Sequence, residues 1–261
     1  RTMKTITRKF GWLPELPDNR DFAYSAPRAV LKVLPSKVDL RPMLPKTHFD
    51  QGQLGSCVGN ASSMAHLYAQ VKQGKDAGPP YPTTFVPSRL MVYYNARALE
   101  GTINQDAGCY IRDAMKSMAD KGVCPESLWK YDVGKFRTKP PASAYKEALK
   151  HQAVNYYRVP VVLQQIKACL AEGYPITFGF TVYENFSDGS IYSNGIMQMP
   201  YGSVLGGHAV LAVGYDDEVK RITVRNSWGN TWGDHGDFYM PYDYITPDLT
   251  DDWWKLTLVE Q

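Results

Sequence analysis

The chain has no run of 18 apolar residues, so no segment is suited to span a bilayer as a helix. It has no dense Lys/Arg run, and its net charge is only +3, so nucleic acid and membrane surfaces are not expected partners. Its first residues, RTMKTITRKFGWLPELPDNRD, lack an apolar core of signal-peptide length. That absence does not argue for the cytosol, and a secreted or periplasmic setting with any signal already removed is the expectation. Cysteine is scarce, with four residues: Cys57, Cys109, Cys124 and Cys169. None forms a C-x-x-C pair, and no histidine stands at metal-ligand spacing from any of them, so no metal site is expected. Four cysteines are also too few for a disulfide scaffold at this length. No internal repeat and no low-complexity tract is found.

What is present fits a globular protein of 261 residues, with 44% hydrophobic and 21% charged residues, as one large domain or two lobes around a cleft. Residues 1–36 are rich in proline and charge and read as an extended arm. Its Trp12, Leu13, Leu16, Phe22 and Tyr24 favour an arm lying on a surface. Residues 37–150 read as a helical lobe. One helix begins at Cys57 and stops at Gly74, a second starts at Pro87 and Ser88 and ends at Gly101, and a third, IRDAMKSMADK, stops at Gly122. Residues 151–261 hold one further helix closed by Gly173. After it come short β-branched and aromatic segments, ITFGFTVY, HAVLAVGYD, RITVRNSW, GDFYM and WKLTLVE, which read as antiparallel strands. The fold class is therefore α+β, with a cleft between the lobes. Cys109 and Cys124 flank the third helix, whose ends lie roughly 15–20 Å apart at 1.5 Å per residue, too far for a disulfide.

Cys57 stands where a Gly-containing turn, QGQLGSC, gives way to a helix. Unpaired N–H groups and the helix dipole favour a thiolate there. Such a nucleophile needs a base, and the base needs a group to orient it. His66 lies nine residues into the Cys57 helix and cannot fold back to its start, His48 precedes the Gly turn, and His151 falls in a polar linker. All three read as surface or loop histidines, and His235 reads as exposed in a Gly/Asp turn. His208 opens the apolar strand HAVLAVGY directly after two glycines. Asn226 ends a neighbouring strand, so its side-chain oxygen can hold one tautomer of His208, with Trp228 and Trp232 as shields. Gln51 lies six residues before Cys57, and its amide can converge with the Cys57 N–H on an oxyanion.

The blocks QGQLGSC, GGHAVLAVGY and RNSWGNTWGDHGDF, in this order, resemble the three signature segments of papain-like cysteine peptidases. VDLRP and DAGCYIRDAMKSMADKGVCPESLWKY are similar to the bacterial branch. The resemblance implies a two-lobed fold with a helical lobe and a β-barrel-like antiparallel lobe. It implies endopeptidase chemistry on a peptide or protein substrate by a monomer, with no cofactor and no metal. Cys57 would be the nucleophile with a depressed pKa (about 3–4 in papain itself). His208 would be the base, Asn226 its orienter and Gln51 the oxyanion donor. Trp228 would cover the Asn–His bond, and Gly108 would pair its backbone with extended substrate. The pocket for the side chain two residues before the cleaved bond would draw on Cys109, Tyr110, Gly206, Gly207 and DLTDDWW. If Asp251 or Asp252 floors that pocket, it would accept basic side chains; otherwise the pair is merely solvated.

Leu54 and Val58 stand where the common signature has a cysteine and an aromatic residue. His208 and Asn226 follow Cys57 by 151 and 169 residues, against about 130–150 in the family pattern, so the chain carries insertions. Two readings of the arm stay open: a propeptide-like segment over the cleft, or a permanent strap on the back. An amidase, deamidase or transamidase using the same thioester, or an inactive binding module, are the rival functions. NAS at residue 60 and NFS at residue 185 match the glycosylation pattern, the first on a helix that would block it.

Overall fold

The computed structural model describes residues 8–45, 48–77, 84–152, 154–187 and 189–258. The helices are α1 (Arg28–Lys32), α2 (Cys57–Ala77), α3 (Arg89–Glu100), α4 (Ile111–Lys121), α5 (Ala142–Ala148), α6 (Leu163–Ala171) and α7 (Gly189–Asn194). The strands are β1 (Lys37–Asp39), β2 (Val154–Arg158), β3 (Ile176–Tyr183), β4 (Val204–Asp216), β5 (Arg221–Arg225), β6 (Asp237–Pro241) and β7 (Thr250–Leu258). None of the described helices is long and apolar enough to cross a membrane.

Local chemistry sets the helix ends. The Ser88 hydroxyl accepts the Met91 N–H at the start of α3, and Gly101 closes it in the left-handed conformation at φ 73°. The helix of Cys57 does not stop at Gly74 but runs on to Ala77. A helix-interior glycine costs only about 1 kcal/mol, too little to end a helix by itself. Nor is the arm extended throughout, since it contains α1.

The strands form one seven-stranded sheet of order β2-β7-β3-β4-β5-β6, with β1 paired to β4. Every named pair is antiparallel. The barrel-like lobe expected from the resemblance is instead an open sheet, because β2 and β6 stand at its two ends without meeting. Strand β4 is longer than expected; it begins at Val204, and His208 lies inside it opposite Phe180. Two apolar cores result. One joins β3–β6 to the inner face of α2 through Met64, Ala65 and Tyr68. The other holds α3, α4 and the outer part of α2, yet includes Ala209, Trp254 and Leu256 from the sheet. β1 joins the sheet through β4, and β7 packs Trp254 and Leu256 against the helices.

The arm divides into two parts. Phe22–Ala26 strap the sheet edge: Arg158 donates its N–H to Phe22 O, Tyr24 donates its own to Arg158 O, and Tyr24 and Ala26 join the first core. Residues 8–15 turn the other way, into the cleft. All four cysteines are free thiols, including Cys109 and Cys124.

Trp253 is fully buried and stacks on Phe178 with ring centroids 3.8 Å apart. Trp253→Ala is expected to lower unfolding free energy by about 3–5 kcal/mol, the range for emptying an aromatic site. A urea midpoint within 0.5 kcal/mol equivalent of the parent would contradict that packing role.

Candidate active site

Cys57 is the first residue of α2, and its Sγ accepts the Ala209 N–H at 3.4 Å. Because Ala209 directly follows His208 in β4, this contact brings the helix start against the histidine strand. His208 and Asn226, adjacent through the β4–β5 pairing, meet at 2.8 Å between Nε2 and Oδ1. The Ser227 N–H donates to the same Oδ1 at 2.8 Å. An oxygen receiving that N–H requires a proton on Nε2, which leaves the lone pair on Nδ1. Nδ1 has no hydrogen-bond partner among the described residues. The Trp228 ring stacks on His208 at 5.0 Å, and Trp232 packs edge-on against Trp228 at 5.1 Å, so both tryptophans shield the His–Asn pair.

Gln51 is anchored by two residues that sequence reasoning gave no such role. Its Oε1 accepts from the Ser227 hydroxyl at 2.8 Å and from Trp228 Nε1 at 3.2 Å. With the carbonyl end so held, the amide NH₂ must face the other way, toward Leu54 O at 2.9 Å and the cleft. The signal for Ser227 was its place inside RNSW, between two residues already singled out.

The arm fills this cleft. Gln51 Nε2 donates to Lys9 O at 3.2 Å. Phe10 packs against His208 and Trp228, with centroids 5.9 and 6.2 Å away. Gly11 passes so close to the nucleophile turn that a Cβ on it would lie 1.8 Å from Gly55 O. Trp12 donates its N–H to Gly207 O at 3.0 Å. Cys109 donates to Gly11 O at 2.9 Å and accepts from Leu13 at 3.3 Å, a parallel pairing centred on Trp12.

Of the residues expected to bind substrate, Gly207 and Trp228 line the arm directly. The backbone pairing expected of Gly108 falls one position later, on Cys109. Gly108 donates to the Tyr93 hydroxyl at 3.2 Å and instead provides clearance, since a Cβ on it would come within 2.3 Å of Gly11 O. The Cys109 side chain is buried in the helical core, so only its backbone faces the cleft. Tyr110 spends its N–H on Glu100 at the start of α4. His66, expected at a surface or in a loop, is fully buried, with Nδ1 3.0 Å from Gln70 Nε2. His235 is exposed, as its turn suggested.

A depressed Cys57 pKa does not hold in this covered state. Burial pushes the Cys57 thiol up to about 11, against the pull of the Ala209 and Gly11 N–H groups. Burial also draws His208 down to about 4, opposed by its hydrogen bond to Asn226. With water excluded by the arm, neutral thiol and neutral imidazole replace the ion pair. No group of three or more His, Cys, Asp or Glu able to hold a metal occurs among the described residues.

The model of papain family cysteine proteases matches residues 34–246 of the chain. An uncharacterised peptidase C1-like protein of Acanthamoeba polyphaga mimivirus is 38% identical over 276 residues, spanning 96% of this chain and 87% of that protein. A cathepsin B-like protein of Giardia intestinalis is 46% identical over 239 residues, 86% of this chain and 69% of that one. The solved structure of xylellain, a cysteine protease from Xylella fastidiosa, superposes with a TM-score of 0.88 at 39% identity over 96% of each chain. A procathepsin B of Trypanosoma congolense shares the fold at a TM-score of 0.73 and 15% identity. With its Gln, Cys, His and Asn in one cleft and in that order, the chain belongs to the papain family of cysteine proteases.

Proposed function

We propose that the chain is a cysteine endopeptidase held latent by residues 8–15 of its own arm. The observation that carries this reading is one continuous segment whose backbone meets the Gln51 amide and the Cys57 Sγ, and whose Phe10 ring covers the His208–Trp228 wall. In the open enzyme, Cys57 gives its proton to His208 Nδ1, and the thiolate attacks the peptide carbonyl carbon. The resulting oxyanion accepts N–H bonds from Gln51 Nε2 and the Cys57 backbone. His208 then gives its proton to the departing amine, leaving a thioester on Cys57. Water, deprotonated by His208, displaces the acyl group and regenerates the thiol. Asn226 keeps the imidazole in the tautomer this relay needs. By the same reading the enzyme is a monomer acting on peptides or proteins in a secreted or periplasmic setting.

The direction of the arm supports latency over cleavage. The departing amine must lie beside His208, so a productive peptide places its carboxyl-side residues against His208 and Trp228. The arm does the reverse: the earlier residue, Phe10, sits there, and the later Trp12 and Leu13 lie at Cys109. Its amides therefore meet the nucleophile in the wrong order.

Gly11→Val places a side chain where Gly55 O leaves no room, so it should lift the arm. We expect at least a 10-fold rise in peptidase rate over the parent chain, abolished by adding Cys57→Ala. An unchanged rate in Gly11→Val would reject latency, and wild-type cleavage by Cys57→Ala would reject the nucleophile.

The sign of the Cys57 shift gives a second test. A thiol at about 11 is thiolate in roughly one molecule in ten thousand at pH 7, and that fraction grows about tenfold per pH unit. Iodoacetamide labelling of Cys57 in the full chain should be slow at pH 7 and climb steeply towards pH 10, whereas Gly11→Val should label quickly at pH 7. Rapid labelling of the parent at pH 7, mapped to Cys57 by mass spectrometry, would contradict the covered state.

A further inference from the structure

The Gln51 side chain carries two protons on Nε2. One is spent inside the nucleophile turn, on Leu54 O at 2.9 Å. The other is aimed into the cleft, where Lys9 O caps it at 3.2 Å in the latent chain. The direction of this second N–H is therefore set by where the Leu54 carbonyl stands.

That carbonyl belongs to the Leu54–Gly55 peptide, whose N–H points the opposite way. The Gly55 N–H donates to both oxygens of Asp106, at 3.0 and 3.2 Å. The peptide is thus gripped at both ends, by an amide on its C=O and by a carboxylate on its N–H. A charged acceptor makes the stronger bond, and a peptide whose N–H is so engaged accepts better at its C=O. Gly55 leaves the peptide free to rotate unless it is held. Its missing Cβ, which would stand 3.1 Å from Asp106 Oδ1, also lets the carboxylate approach. No disulfide staples the turn, since all four cysteines are free and Leu54 takes the place of the signature cysteine.

Asp106 is itself fixed from the helical side. The Tyr93 hydroxyl donates to its Oδ1 at 2.7 Å and accepts the Gly108 N–H at 3.2 Å. The buried Arg97 guanidinium lies over the Tyr93 ring at 4.0 Å and donates to Ile103 O and Gln105 O, at 2.9 and 3.0 Å. The loop carrying Asp106 is thereby tied to α3, and the carboxylate is only 11% exposed. Its remaining partner comes from the arm: Lys9 Nζ, at 2.9 Å. Lys9 thus covers both ends of this series of bonds, the amide with its carbonyl and the carboxylate with its ammonium.

Building on the peptidase reading, we infer that Asp106 is a positioning residue for the oxyanion donor: through the Leu54–Gly55 peptide it aims the free Gln51 N–H at the carbonyl oxygen that Cys57 attacks. It acts through Gln51 and not on the substrate. Its effect is felt as charge develops on that oxygen, so it belongs to turnover and not to binding.

The test uses the full chain bearing Gly11→Val. Adding Asp106→Ala should lower kcat for peptide cleavage at least 10-fold with KM within about 3-fold, part of the roughly 10²–10³ lost when an oxyanion donor is removed outright. Alkylation of Cys57 by iodoacetamide, which builds no oxyanion, should stay within about 3-fold. With Gln51→Ala already present, adding Asp106→Ala should change kcat by less than about 3-fold, because the donor it aims is gone. Asp106→Asn keeps one oxygen for the Gly55 N–H. It should give a smaller loss of about 3-fold or more, again in kcat, and carries the same comparisons if the alanine variant does not fold. An unchanged kcat in the folded variants, a loss that falls in KM, a parallel fall in alkylation, or an undiminished loss beside Gln51→Ala would overturn the inference while leaving the peptidase reading intact. A Gly11→Val chain that cleaves no peptide, with Cys57 also inert to a thiol-directed epoxide, would remove both.

Discussion

The abutment of the α2 start on the middle of β4 is the contact on which the site depends. There the Ala209 N–H meets Cys57 Sγ across the boundary between helices and sheet. A helix start supplies the thiol with a favourable field, and a central strand holds the imidazole without freedom to drift. Around that contact the second line of residues closes a circuit. Asn226 holds His208, Ser227 and Trp228 hold Gln51, and Trp228 lies flat on His208. Three consecutive residues of one segment thereby hold both His208 and Gln51, so the two cannot be adjusted independently. The apolar packing beneath, from Tyr68 to Trp253, serves to keep helix and strand at this separation.

The arm acts on the same residues through a different physical term. It breaks none of the contacts among Gln51, Ser227, His208 and Asn226. It covers the site, and burial, with the Arg8 charge adding to it at His208, moves thiol and imidazole toward their neutral forms. A preorganised site can thus be complete in its geometry and silent in its chemistry. In the proposed latent state the switch is solvent access, governed by about eight residues whose backbone runs opposite to a productive peptide. Their side chains fit the surfaces they cover: Phe10 packs on His208 and Trp228, and Trp12 lies against Gly179 and Gly207 with its Nε1 on Asp252.

Much of this was legible from residue order. The α3 and α4 boundaries followed from Ser88, Gly101 and Gly122, because caps and left-handed stops are local properties of the chain. Cys57, His208, Asn226 and Gln51 were legible because each sits in a motif whose spacing survives insertions. What the sequence did not reveal depends on tertiary surroundings. Gly74 did not stop α2, since a glycine inside a helix carries only a small local penalty. His66 read as a surface or loop histidine, but other elements bury it. The pairing assigned to Gly108 belongs to Cys109, a one-residue slip that no periodicity could correct. The arm's two readings both describe part of it, strap at Phe22–Ala26 and plug at residues 8–15, a division set by where its hydrogen-bond partners lie.

The central claim is that Cys57 carries the acyl group in turnover once the arm is lifted. Its most direct test is intact-mass spectrometry of the Gly11→Val chain, acid-quenched within milliseconds of mixing with an activated peptide ester. The account predicts one added acyl mass, mapped by digestion to Cys57 and absent from the parent chain under the same conditions. Ester turnover without any adduct on Cys57, or an adduct on another residue, would contradict it.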